Sequence, residues 1–413
     1  MDYRALMQLV SELGTKLASV GAETYRVEES VKRVVAAYGL QAKVYAVPNS
    51  LIITILVPDD LPITQLCRIE SHSTDMEGIE QYSNLSRRIC VEVPDPETAL
   101  SWLKSTTAKR KTYPLYCTLL GNIMVAVGFC IFFGGTFADS FASAICGLVV
   151  GLIAHLFQKV KTNPFFHIIA ASFLMAFCAY GLNAAGLVYS IDAVIIGPLM
   201  LLVPGILFTN AMRDIIYGDT NSGINRIVEV LLVAAAIVLG VASAWNAAVA
   251  VFPAQPYHPA LAHAPLITIL VSFLACSGFV LVFNVHGWGK ALCVLGGAIT
   301  WAVYCLAEYI GANSLLCFFI ATVAATVFSE IMARVRKYPA TSYLIISLLP
   351  LIPGAGIYYT AQQAVQKNLS GFLSYGSNTI YTAGAMAVGI LIVTSIIRLW
   401  HDRTVRLSVN KQT

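Results

Sequence analysis

The stretch from Leu199 to Asp219, LMLLVPGILFTNAMRDIIYGD, constrains the fold more than any other. An apolar run of membrane length is interrupted by Pro204-Gly205 and then runs into Thr209, Asn210, Arg213 and Asp214. Proline removes a helical N–H and clashes with the preceding turn, so such a run predicts a broken helix. A break at membrane depth is tolerated only where protein or a water-filled cavity satisfies the freed backbone groups. A second copy follows at Ile346 to Gln363, ISLLPLIPGAGIYYTAQQ, with Pro353-Gly354 at the corresponding break and Thr360 and Gln362 near the positions of Thr209 and Asn210. Two broken helices in corresponding halves of a membrane protein point to a transport site.

Composition supports the membrane reading and divides the chain. Hydrophobic residues make up 57% and charged residues 12% of the 413, about half the roughly 25% charged content of soluble domains. Residues 1–112 hold 27 of the 48 charges, which predicts a soluble domain followed by a membrane domain. The N-terminus, MDYRALMQLVSELGTKLASV, lacks a basic segment followed by an apolar one, so the soluble part is expected to stay in the cytoplasm. Eight of the ten cysteines sit inside apolar runs without metal-site spacing and read as reduced packing residues. The net charge of +4 lies at span boundaries, where topology accounts for it and nucleic acid is not required.

Within residues 1–112, helical periodicity predicts helices over 3–19 and 23–38, the latter closed by Gly39. Two β-branched runs, 42–47 and 51–57, flank Pro48-Asn49-Ser50 and read as a hairpin. A further strand is expected at 65–70 and helices near 76–89 and 96–108, giving a small α+β domain. Glu23, Glu28 and Glu29 alternate with Arg26, Lys32 and Arg33 and read as a solvated, ion-paired helix face. His72, with Asp75 and Glu77 nearby, reads as a solvated loop residue. The chain implies no metal and no cofactor.

Apolar runs of about 20 residues occur near 114–136, 139–158, 165–187, 191–212, 224–249, 264–284, 289–310, 312–333, 341–363 and 378–400. The expected fold class is therefore an all-α membrane domain of ten transmembrane helices preceded by the α+β domain. With the soluble domain inside, Lys159, Lys161, Arg213, Arg226, Lys290, Arg334, Arg336, Lys337, Arg398, Arg403, Arg406 and Lys411 fall on inner connections or the tail. Only Lys367 falls outside. The twelve-to-one split satisfies the positive-inside rule with both termini in the cytoplasm. The uncharged, proline-rich FPAQPYHPALAHAP separates two sets of five spans, 113–252 and 253–413. Five is odd, so the second set must be inverted relative to the first.

The half-helices that begin at Gly205 and Gly354 are then expected to present free N–H groups and positive dipole ends at the bilayer centre, suited to a carboxylate. Pro204, Gly205, Pro353 and Gly354 would build the site, with Thr209, Asn210, Thr360 and Gln362 as hydrogen-bonding side chains. Asp214 is the acid nearest the first break and the candidate for an ammonium group. Asp192, Glu308 and His155 are candidate proton carriers. Glu330 with Arg334 and Glu229 with Arg226 have helical ion-pair spacing.

The motifs GAETYRVEESVKRV, VPGILFTNAMRDIIYGD, and FNV followed by LIPGAGIYY resemble the bacterial threonine/serine exporter family, in its fused form. The resemblance implies a secondary exporter of small hydroxylated amino acids, driven by proton antiport across the inner membrane, with a cytoplasmic N-terminal domain. Split relatives are associated with dicarboxylate export, especially succinate, which is the alternative cargo. The second half carries FNVHGWGK where many relatives have a more basic FNVPRR-like turn. Expected partners are the small-molecule cargo, protons and the lipid bilayer, with a homo-oligomer also compatible. A reading of another class, a membrane sensor or enzyme with a ligand-binding N-terminal domain, finds no nucleophile elbow, Walker loop, HExxH or dinucleotide fingerprint in the sequence.

Overall fold

The computed structural model describes residues 2–409, without 59–60, 70–72, 161–162, 254–255 and 337. His72, Glu70, Lys161, Lys337 and Lys411 therefore lie outside the described residues, as do the side chains of Lys159, Arg213, Arg398, Arg403 and Arg406. The chain forms two compact units. One comprises Met1–Tyr113 together with Phe283–Gly287 and Lys337–Ser342; the other comprises the remainder.

The first unit runs α1 (Tyr3–Ser19), α2 (Thr24–Ala37), β1 (Gln41–Val47), β2 (Ser50–Leu56), β3 (Ile63–Arg68), α3 (Met76–Glu92) and α4 (Pro96–Lys109). Asp2 caps α1 by accepting from the Arg4 and Ala5 N–H groups, which removes two unsatisfied donors from the first turn. Leu6, Leu9, Leu13 and Leu17 on α1 and Val31, Val34 and Val35 on α2 are fully buried. The three strands form an antiparallel sheet in the order β1-β2-β3, with Val47 opposite Ser50 across the expected hairpin. Leu51, Ile53 and Ile55 alternate into the core, as a half-buried strand requires.

Two segments from late in the chain are built into this unit. Asn284, at φ 55°, donates its amide to Asp75 Oδ1 and to the Lys111 carbonyl, both at 2.9 Å, and accepts from the Tyr113 N–H at 3.2 Å. His286 stacks on Tyr113 with ring centroids 4.2 Å apart. Thr341 accepts from Arg26 at 2.9 Å and donates to Glu23 Oε2 at 3.1 Å. This corrects the solvated reading of the Glu23 face: Glu23 is 6% exposed, while Glu28 and Glu29 do pair with Lys32 and Arg33. Burial lowers the proton affinity of Arg26, but Tyr25 and Glu23 outweigh it and hold its pKa above the ordinary value.

The second unit is helical: α5 (Leu115–Phe132), α6 (Phe137–Val160), α7 (Pro164–Ala184), α8 (Ile191–Leu199), α9 (Gly205–Tyr217), α10 (Thr220–Val251), α11 (Pro265–Val282), α12 (Gly289–Tyr309) and α13 (Ser314–Arg336). Then come α14 (Ala340–Leu348), a 3-10 turn at Leu349–Leu351, α15 (Gly354–Val365) and α16 (Leu369–Val409). Among the described residues eight helices are long and apolar enough to cross a membrane. The pair Ala340–Leu351 and Gly354–Ala364, bent by 49°, makes a ninth, against the ten expected. The remaining expected span, near 191–212, consists of α8 and α9, neither of membrane length alone.

Small residues let these helices approach closely where no hydrophobic force favours protein over lipid. A Cβ on Gly121 of α5 would lie 2.8 Å from the Gly278 carbonyl of α11, and one on Gly278 would lie 2.6 Å from the Gly121 carbonyl. Asp139 of α6 is fully buried and accepts from the Thr136 N–H and hydroxyl at 2.8 Å and from the Tyr189 and Ser190 N–H groups at 2.6 and 3.2 Å. Four donors satisfy its carboxylate and fix the entry to α8.

Candidate functional site

Both breaks fall where the sequence predicts them, with Pro204 and Pro353 as the residues that precede α9 and α15. They pack against one another reciprocally. A Cβ on Gly205 would collide with Ile352, two residues before Gly354. A Cβ on Gly354 would lie 2.6 Å from Met200 Cε and 3.1 Å from Val203 Cγ1, and Val203 is two residues before Gly205. One turn later, Phe208 and Ile357, each three residues past its glycine, share a buried cluster with Val230 and Ala383. The two glycines are therefore required by apolar packing at the crossing.

Several expected side chains have partners of their own. Thr209 is buried and donates to the Gly205 carbonyl at 3.1 Å, and Thr360 donates to the Gly356 carbonyl at 2.6 Å. Each hydroxyl proton is thus used within its own first turns. Asn210 is half-buried. Asp214 is buried, 3.1 Å from Arg226 Nε, and accepts from Ser222 at 3.2 Å. Arg226 therefore reaches across to α9, and Glu229 is exposed.

The polar lining converges in a cavity of about 720 Å³, within the roughly 300–1,000 Å³ of ligand pockets. Asp192, in the first turn of α8, and Gln362, on α15, both line it. Tyr257, from the α10–α11 connection, donates to Asp192 Oδ2 at 2.9 Å. This hydrogen bond and the Asp192 charge raise the Tyr257 phenol above its ordinary pKa. Gln363 on α15 and Gln366 just past its end extend the amide face, and Asn246 of α10 lines the same cavity. Aromatic rings and the aliphatic side chains of Ile191, Val238, Val241 and Ala242 form the rest of the wall: Tyr180 meets Trp245 edge-on at 5.3 Å, and Tyr359 lies 5.4 Å from both Tyr358 and Tyr375. Among the described lining residues Asp192 carries the only formal charge. Glu308, exposed at the end of α12, and His155, half-buried on α6, do not line this cavity. Among the described residues no cluster of three His, Cys, Asp or Glu could hold a metal ion.

Sequence reasoning named Asp192 and Gln362 and missed the tyrosines, Trp245, Asn246, Gln363 and Gln366. Three glutamines at 362, 363 and 366, at the end of an expected span, were the available signal, because polar groups there need a cavity or a partner.

Residues 8–247 match the family model described as "Putative threonine/serine exporter", and residues 268–396 match a second, "Threonine/Serine exporter, ThrE". The chain is 22% identical over 406 residues to a "Probable threonine/serine exporter" of Mycobacterium tuberculosis, covering 95% of this chain and 76% of that one. It is 23% identical over 400 residues to a "Threonine/serine exporter" of Corynebacterium glutamicum, covering 94% and 81% respectively. No solved structure matches. These relatives are transporters by name and not enzymes, and the apolar helices make this a multi-pass membrane protein. The chain belongs to the threonine/serine exporter family.

Proposed function

We propose that this protein is a secondary exporter of threonine and serine, driven by proton antiport across the bacterial inner membrane. The observation that carries the reading is the amide- and tyrosine-lined cavity between α8 and α15, the two elements that adjoin the reciprocally packed breaks. A cargo with carboxylate, ammonium and hydroxyl groups needs donors, an acceptor and dual-purpose partners together. The glutamines, Asp192 and the tyrosine hydroxyls meet those needs. No Lys or Arg is among the described lining residues, which favours an amino acid over a dicarboxylate such as succinate.

In this proposal the membrane domain has ten crossings in two inverted repeats, residues 113–252 and 253–413, with both termini in the cytoplasm. The matched contacts of Gly205 with Ile352 and of Gly354 with Val203 support a twofold relation. Support for a crossing by α8 and α9 comes from the connections. The Leu261 N–H donates to the Gly134 carbonyl at 2.8 Å, and Tyr257 bonds Asp192, so the α5–α6 and α10–α11 connections share one end with the start of α8. The 32 residues of α10 span about 48 Å at 1.5 Å each, so residues 192 and 219 belong to opposite ends. The cargo carboxylate is held on the Gln362 side of the cavity and passes the first-turn N–H groups after Pro204-Gly205 and Pro353-Gly354, with Asn210 outside the cavity lining.

Counterflow of labelled threonine in proteoliposomes tests the function. Acceleration by internal threonine and serine, with none by succinate, is expected. Equal acceleration by succinate, or none by threonine, would contradict it. For topology, a cysteine at the exposed Leu187 should react with an impermeant reagent only from outside the cell.

A further inference from the structure

Resting on the exporter reading above, we propose that Asp192 is a shared site at which the cargo ammonium and the coupling proton exclude one another. Asp192 carries the only formal charge among the described residues lining the cavity, and Tyr257 fixes one of its oxygens. Its other oxygen, Oδ1, is available to an ammonium group, and the surrounding rings favour a cation at their faces.

The groups facing it leave the exchange to this carboxylate. Tyr257 comes from the α10–α11 connection, Tyr180 from α7, and Tyr358 and Tyr359 from α15. Phenols of the ordinary kind, near pKa 10, stay neutral across physiological pH. Tyr375 of α16 lines the same cavity. Asp139 of α6 bonds the Tyr189 and Ser190 N–H groups just before α8, and its carboxylate already has four donors. His258, beside Tyr257 in the chain, stacks on Tyr189 at 4.6 Å.

The cycle balances as follows. With Asp192 ionised, the ammonium of a zwitterionic amino acid binds its oxygen. When the cavity faces an acidic exterior, a proton from water adds to the carboxylate, the ion pair is lost and the amino acid leaves with its ammonium proton intact. The neutral carboxyl returns, gives its proton to cytoplasmic water and binds the next cargo. One proton enters for each amino acid exported, and one positive charge moves inward.

The test uses the full-length protein in proteoliposomes. Wild-type threonine counterflow is the control for the exporter reading: its absence sinks that reading and this proposal with it. Given wild-type counterflow, the apparent Km for threonine should rise up to tenfold per pH unit on the acid side. A pH gradient should drive net threonine flux, and 3-hydroxybutyrate, which is threonine without its amine, should not compete. Asp192→Asn should lose gradient-driven flux, bind threonine at least tenfold more weakly and show no pH dependence in the residual counterflow. Asp192→Glu should restore coupling and so exclude a folding defect. His258→Gln should retain the wild-type pH profile. Retained gradient-driven flux in Asp192→Asn, competition by 3-hydroxybutyrate equal to that of threonine, or a pH profile abolished by His258→Gln would overturn the proposal.

Discussion

The two broken segments are alike at their centres and unlike at their ends. At the crossing each glycine meets the residue two before the other glycine, and Phe208 and Ile357 occupy matched places in one cluster. Beyond the crossing, α9 leads to a buried ion pair, Asp214 with Arg226. The helix α15 leads instead to the tyrosines and glutamines that line the cavity. Upstream, α8 starts beside the fully satisfied Asp139, whereas α14 starts with Thr341 held by Glu23 and Arg26. A repeated backbone device has thus acquired different chemistry: past its break the first segment is anchored by charge, whereas the second lines the cavity there with neutral polar groups, opposite Asp192 at the start of α8.

The largest effect should come from splitting the buried pair. Arg226→Met removes the guanidinium from the buried Asp214 carboxylate, and loss of one partner of a buried pair costs about 3–5 kcal/mol. The side chains are 15% and 12% exposed, so the lower end applies. Thermal unfolding in detergent should show the loss, and Asp214→Asn in the same chain should restore most of it. Full stability in Arg226→Met alone would remove the contrast between the two ends.

Next come the glycines at the crossing. Gly205→Leu drives a side chain into Ile352, and Gly354→Leu drives one into Met200 and Val203. Overpacking costs about 1–3 kcal/mol, so both variants should melt lower and lose threonine exchange together. Normal exchange in one with loss in the other would break the equivalence of the centres. The breaks themselves were legible in the sequence because Pro-Gly in an apolar run has few other meanings. The glycines' partners were not legible, since Ile352 and Val203 look like any other aliphatic residue until two segments cross.

Thr341→Val should remove a hydrogen bond from each of Glu23 and Arg26, which costs about 1–3 kcal/mol where a buried group is left unsatisfied. Faster amide exchange in α2 and in the first turn of α14 would report it, and unchanged exchange at both would argue against a clamp. The motif GAETYRVEES was visible in the sequence, but its interleaved charges matched a solvated face. Only the return of the chain at Thr341, 318 residues later, distinguishes Glu23 from Glu28 and Glu29. The same limit applies to the cavity: Asp192 stood out as an acid near the end of an expected span and Gln362 by its place after the second break, whereas Tyr180, Trp245 and Tyr375 join them only through long-range packing.

A smaller change is expected from Gln362→Leu, which should weaken threonine binding several-fold, on the order of 1 kcal/mol. Thr209→Val should have the least effect on binding, because its hydroxyl proton already goes to the Gly205 carbonyl.

The asymmetry between the segments is tested most directly by cargo protection of single cysteines at Asn210 and Gln362, the two polar side chains on either side of the crossing. In proteoliposomes held at low external thiol reagent, threonine should slow modification of Gln362→Cys severalfold and leave Asn210→Cys unchanged, with serine acting alike and succinate without effect. Protection of Asn210→Cys with none at Gln362→Cys would move the cargo site to α9, beyond the first break, and contradict this account.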